Sequence, residues 1–79
     1  METLLNRITI DANINKGKPS IRNMRFTVAQ MLELVASGMS FDEILTDYPY
    51  IEKSDITASL LYASSVMNNR SIVLIEGVA

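Results

Sequence analysis

The sequence predicts a small α+β fold: a short N-terminal β element with a hairpin, a three-helix helix-turn-helix-like unit, and a candidate C-terminal strand. Three observations carry this reading. Ile8 and Ile10 alternate with polar neighbours, the period of a half-buried strand. From residue 28 onward the apolar residues recur at helical spacing instead. Within that region Thr27/Gln30 and Ser40/Glu43 have the spacing of capping boxes, in which each side chain satisfies a free amide at a helix start.

Taken in order, RITID (residues 7–11) is the first strand, rich in β-branched side chains. ANINKGKP follows, and Gly17 and Pro19 make it a turn. SIRNMRFTV reads as a hairpin with Ile21 and Phe26 on one face and Asn23-Met24 at its tip. Such a hairpin sets Arg22 opposite Arg25, which is destabilising unless a carboxylate or phosphate intervenes. The first helix of the trihelical unit runs from the Thr27 cap, carries Val28, Met31, Leu32 and Val35 as its inner stripe, and ends at Gly38. The second spans about Phe41 to Tyr48, with Phe41, Ile44, Leu45 and Tyr48 facing inward. Met39 and Ile44 stand at hydrophobic-staple positions, and Pro49 stops the helix. The third, residues 54–68, takes Ser54 as its cap and Ile56, Leu60, Ala63 and Met67 as its stripe, and closes at Asn68-Asn69. The tail SIVLIEGVA is β-branched and reads as a short strand. One domain results: a β element over about 7–27, a helical unit over about 28–68 and a tail over 69–79.

Composition narrows the function. With 79 residues, no Cys and no His, the chain lacks disulfides and the commonest metal ligands and general base. No catalytic residue, metal or cofactor is expected. A core this small supplies only ~3–5 kcal/mol of net stability, so a homodimer or larger assembly, joined through strands, is expected. METLLNR has no basic segment followed by a long apolar run, and SIVLI is too short to span a bilayer. The expected setting is cytoplasmic, away from membranes.

Charge is unevenly placed. Four of the seven basic residues, Lys16, Lys18, Arg22 and Arg25, lie where no acid occurs between Asp11 and Glu33, although the whole chain has a net charge of −2. These cations have three readings: contacts to DNA phosphates, pairs with acids of the second and third helices or of a neighbouring subunit, or bidentate anchors of the hairpin onto the helices. The third helix stands where a recognition helix would. Lys53, Ser54 and Thr57 are its candidate contacts, yet Glu52 and Asp55 beside them repel phosphate. In the tail, Ile72, Val73, Leu74, Ile75 and Glu76 are candidate partner-binding residues. They form either a closing strand or an edge that docks on a second protein. Asp42, Glu43 and Asp47 could in principle hold magnesium, but Glu43 is already explained as a capping residue and Asp42 as a first-turn acid.

The motifs ITID, GKPSIR, RFTVAQMLELVASGMSFDEILTDYP and DITASLLYA, in this order over about residues 7–64, resemble a family of small prokaryotic proteins catalogued as domain-of-unknown-function family 433. The family usually carries Gly-Thr where this chain has Asn23-Met24, and residues 70–79 have no counterpart in the resemblance. It implies a helix-turn-helix-like domain and the role of a VapB-type antitoxin, which neutralises a PIN-like ribonuclease toxin. The basic hairpin and the start of the third helix are the candidate surface through which such a protein could also repress its own operon by binding operator DNA. The alternatives are a free-standing transcription regulator and a structural assembly module.

Overall fold

The computed structural model describes residues 4–68; elements that begin before or run past these limits are described only within them. The order is α1 (Glu2–Leu5), β1 (Ile8–Thr9), a single turn at Asn15–Gly17, β2 (Ser20–Ile21), α2 (Val28–Ala36), α3 (Phe41–Asp47) and α4 (Lys53–Val78). The expected α+β class is met: a short antiparallel β element precedes three helices. The short α1, which the sequence pattern did not announce, packs against α4. The strand expected over 69–79, and with it Ile72, Val73, Leu74, Ile75 and Glu76, lies outside the described residues, as does any helix terminus at Asn69.

The β element is smaller than expected. Ile8 pairs with Ile21 and Thr9 with Ser20, and a further bridge joins Ser20 to Thr27. The strand stops at Thr9 because Asp11 starts a turn immediately afterwards. Its carboxylate accepts from the Asn13 amide (2.9 Å), and its carbonyl accepts from the Ile14 amide (2.9 Å). Ile10, expected inside, is therefore 64% exposed.

The hairpin tip also shifts. Arg22 and Asn23 take the positive φ values, 46° and 58°, and the Met24 amide donates to the Ile21 carbonyl (2.8 Å). The turn thus centres on Arg22-Asn23 rather than Asn23-Met24. Asn tolerates this conformation, and Met24 escapes it to lie half-buried against the core. Arg22 is held there by its side chain, as described below.

The helices start and stop as their caps dictate. Thr27 Oγ1 accepts from the Gln30 amide (3.0 Å) while Gln30 Oε1 accepts from the Thr27 amide (2.9 Å). Ser40 and Glu43 repeat the exchange at 3.1 and 2.7 Å. Gly38, at φ 96°, ends α2. Its amide reaches the Val35 carbonyl (3.1 Å), and the Met39 amide reaches the Leu34 carbonyl (3.3 Å), a Schellman closure. Ile21, Phe26, Met31, Ile44, Ile51 and Ile56 form the buried core. Phe26, Tyr48 and Tyr50 meet edge to face, with ring centroids 5.1–6.4 Å apart.

α4 departs most from the sequence reading. It begins at Lys53, so Ser54 lies inside the first turn rather than capping it. Its buried residues are Asp55, Ile56, Ala58 and Ser59, whereas Leu60 and Met67 are 38% and 58% exposed. Of the expected stripe Ile56 is fully buried and Ala63 half-buried, and the buried face also takes in Asp55, Ala58 and Ser59.

Candidate functional site

Asp55 organises the N-terminal half of the molecule. Its side chain is fully buried, which is tolerable for a carboxylate only with complete hydrogen bonding. Arg22 donates to it twice, Nε to Oδ1 at 3.1 Å and NH2 to Oδ2 at 2.8 Å. Arg7 NH1 donates to Oδ1 at 2.9 Å, and the Glu52 backbone amide donates to Oδ2 at 2.8 Å. The last bond is also half of a helix cap, made by the residue at N3 back to the residue before α4. Arg22 NH2 further donates to the Tyr50 carbonyl (2.9 Å), and Arg7 NH1 to Glu52 Oε1 (2.7 Å). The N-terminal segment, the hairpin and the start of α4 are thereby tied at one point.

The charges of this clasp reinforce each other. Burial pushes the Asp55 carboxyl upward, but the Arg22 hydrogen bonds, the Glu52 amide and Arg7 together hold it below the ordinary carboxylate range. Both guanidiniums are moved further above their already high values, Arg7 chiefly by Glu52 and Arg22 chiefly by Asp55. For Arg22 the second and third readings coincide: it pairs with an acid of the third helix of the unit and, by two bonds, anchors the hairpin there. Arg22 and Arg25 do not face each other as a repelling pair, because Arg22 turns toward α4.

The other three cations of the stretch have no carboxylate partner among the described residues. Lys16, Lys18 and Arg25 are all exposed. They leave the molecule from two turns that one side chain joins: Asn15 Nδ2 donates to Ser20 Oγ (2.6 Å) and to the Met24 carbonyl (2.9 Å). Ser20 Oγ in turn donates to the Lys18 carbonyl (2.8 Å). Asn15, Lys16 and Gly17 all have positive φ, and Lys18 returns to extended backbone, so a left-handed Asn-Lys-Gly turn is pinned through Asn15 to the residue preceding Arg25. The structure therefore brings Lys16, Lys18 and Arg25 into one tied loop pair and removes Arg22 from it.

At the start of α4, Lys53 is exposed, and Ser54 and Thr57 are half-buried. Thr57 Oγ1 donates to the Lys53 carbonyl (3.4 Å). Glu52 and buried Asp55 stand beside them, so this helix start is electrostatically mixed. Along α3, Asp42, Glu43 and Asp47 line an open depression of about 270 Å³ with Met39 and Thr46. Glu43 is occupied by its cap, and no set of three acidic side chains suited to a metal ion occurs among the described residues.

One feature was not anticipated. Between α2 and α4 runs an apolar groove of about 370 Å³, lined by Val28, Ala29, Leu32, Tyr62, Ala63 and Val66, with Lys18 on its border. Leu32 and Ala63 were expected in a closed core. Arg7 and the depth of Asp55 were also missed. The available signal was an acid-free basic stretch that lacked a counter-ion, with Asp55 among the acids able to supply one.

Among the described residues no helix is long and apolar enough to cross a membrane. No curated protein and no solved structure matches the chain. A family model described as "Protein of unknown function (DUF433)" matches residues 8–63, from β1 through the Asp55 clasp into the middle of α4. The chain belongs to that family.

Proposed function

We propose that this chain is a non-enzymatic, cytoplasmic regulatory protein: the antitoxin half of a type II toxin–antitoxin pair. It binds a PIN-like ribonuclease and uses Lys16, Lys18 and Arg25 to hold the phosphates of its own operator. The observation that carries the DNA-facing part is the division of the basic stretch. Arg22 is spent on the fold, while the other three cations are exposed on tied turns with no carboxylate partner among the described residues. The ribonuclease rests on the family resemblance, and the tail residues Ile72 to Glu76 remain its proposed contact.

The test has two arms. Affinity capture from the source cell, read by mass spectrometry, returns a PIN-like nuclease, and a chain ending at residue 69 fails to retain it. Electrophoretic shift on the upstream DNA shows binding that the triple variant Lys16→Ala/Lys18→Ala/Arg25→Ala weakens, with the log–log salt slope reduced by about 3. DNA binding without a nuclease identifies a free-standing regulator instead. If neither partner is found, the regulatory reading is wrong and a structural assembly role takes its place.

A further inference from the structure

We propose that Asn15 is the positioning residue of the cationic surface: its carboxamide holds the lysine turn and Arg25 in one fixed relation before DNA arrives. The inference rests on the DNA-facing reading above. The Asn15 carbonyl accepts from the Lys18 amide (3.1 Å), which closes the turn carrying Lys16 and Lys18. Its Nδ2 donates to Ser20 Oγ (2.6 Å) and to the Met24 carbonyl (2.9 Å), so the two protons of the amide serve two different segments. The Met24 carbonyl shares its peptide plane with the Arg25 amide. On the other side Ser20 Oγ donates to the Lys18 carbonyl (2.8 Å). Each bond thus fixes a peptide unit adjoining a cation, and Lys16 follows Asn15 directly. The base of this network is firm, since Ser20 is buried, pairs with Thr9 and is bridged to Thr27.

Conformation alone does not call for this side chain. Asn15 has φ 54°, a value that glycine accepts with less strain. What glycine lacks is a donor able to reach Ser20 and Met24. A cation on an untied turn must be ordered when it meets a phosphate, and that ordering subtracts from affinity. Tying the turns beforehand removes this cost without changing how many charges are engaged. The number engaged sets the salt slope. Asn15 therefore acts on affinity at constant slope, whereas each cation acts on both.

The test titrates the full chain onto its upstream duplex, read by fluorescence anisotropy, over about 0.05–0.3 M sodium chloride. Asn15→Gly binds about 10-fold more weakly with an unchanged log–log slope, whereas Arg25→Ala lowers the slope by about 1. In the Arg25→Ala background the Asn15→Gly loss shrinks to less than about 3-fold, because Asn15 acts in part through Arg25. A merely structural role would lower the urea midpoint and leave the affinity of the folded protein as it was. A folded Asn15→Gly that binds as the unaltered chain does, a slope that falls with it, or an undiminished loss in the Arg25→Ala background would each overturn the proposal. Should Asn15→Gly fail to fold, Ser20→Ala, which breaks the tie to the lysine turn alone, takes its place against Lys18→Ala with the same outcomes required. If the unaltered chain binds no duplex, the DNA-facing reading falls and this inference with it. If it binds, and the triple cation variant weakens it while Asn15→Gly does not, this inference alone falls.

Discussion

A single carboxylate decides whether the first third of this chain has a fixed shape. Asp55 receives four hydrogen bonds from Arg7, Arg22 and the Glu52 amide. Replacing it by Asn keeps the size but leaves two guanidiniums against a neutral amide. The expected loss is roughly 2–3 kcal/mol, a large share of a small domain's stability, read as a fall in the urea midpoint. The folded state holds Asp55 below its ordinary range, so the unfolded chain takes up the proton more readily. Its stabilisation is complete above the unfolded carboxyl value near ~4 and fades as pH falls through the lower folded value. Between about pH 6 and 2 the midpoint of the native protein should therefore fall more steeply than that of Asp55→Asn. Parallel curves would show that the carboxylate carries no such linkage. Arg22 was legible as a residue needing a counter-ion. Its partner was not, because the pair is separated by 33 positions and helical periodicity places an acid outside.

Elements whose signals are local were read correctly. The Thr27/Gln30 and Ser40/Glu43 boxes, the Gly38 stop and the buried pair Ile21 and Phe26 each depend on residues a few positions apart. Gly38 offers a clean check of the α2–α3 joint. Its φ is 96°, and an added Cβ would meet nothing within 4 Å. Gly38→Ala should cost about 1 kcal/mol through backbone conformation alone, measured by denaturant unfolding with an unchanged slope. A larger loss would mean that the joint is packed more tightly than this. α4 was read only in part: Ile56 of its stripe is fully buried, but hydrophobicity gave no sign that Asp55 and Ser59 share the buried face. A buried carboxylate is legible only once its donors are known.

At the scale of the whole molecule, the exposed cations and the buried core should respond differently to salt. The proposed contacts from Lys16, Lys18 and Arg25 to phosphate weaken as ions are added, whereas the apolar core does not depend on them. Raising sodium chloride from about 0.05 to 0.5 M should release DNA while leaving the far-ultraviolet spectrum native. Joint loss of both would show that salt acts on the fold rather than on the phosphate contacts. The cationic stretch was legible from composition, but its division was not, since that required knowing where Asp55 sits. The groove was hidden for a related reason: a sequence stripe marks an apolar face, not how far the fold closes over it.

The clasp joins positions 45 and 48 residues apart, Arg7 to Glu52 and to Asp55. Ribosomal synthesis delivers those ends at different times. A nascent chain that has emerged only through α3 holds both arginines before the aspartate that fixes them exists outside the tunnel. The β element should therefore become protease-resistant late, in one step, when the first turns of α4 clear the exit.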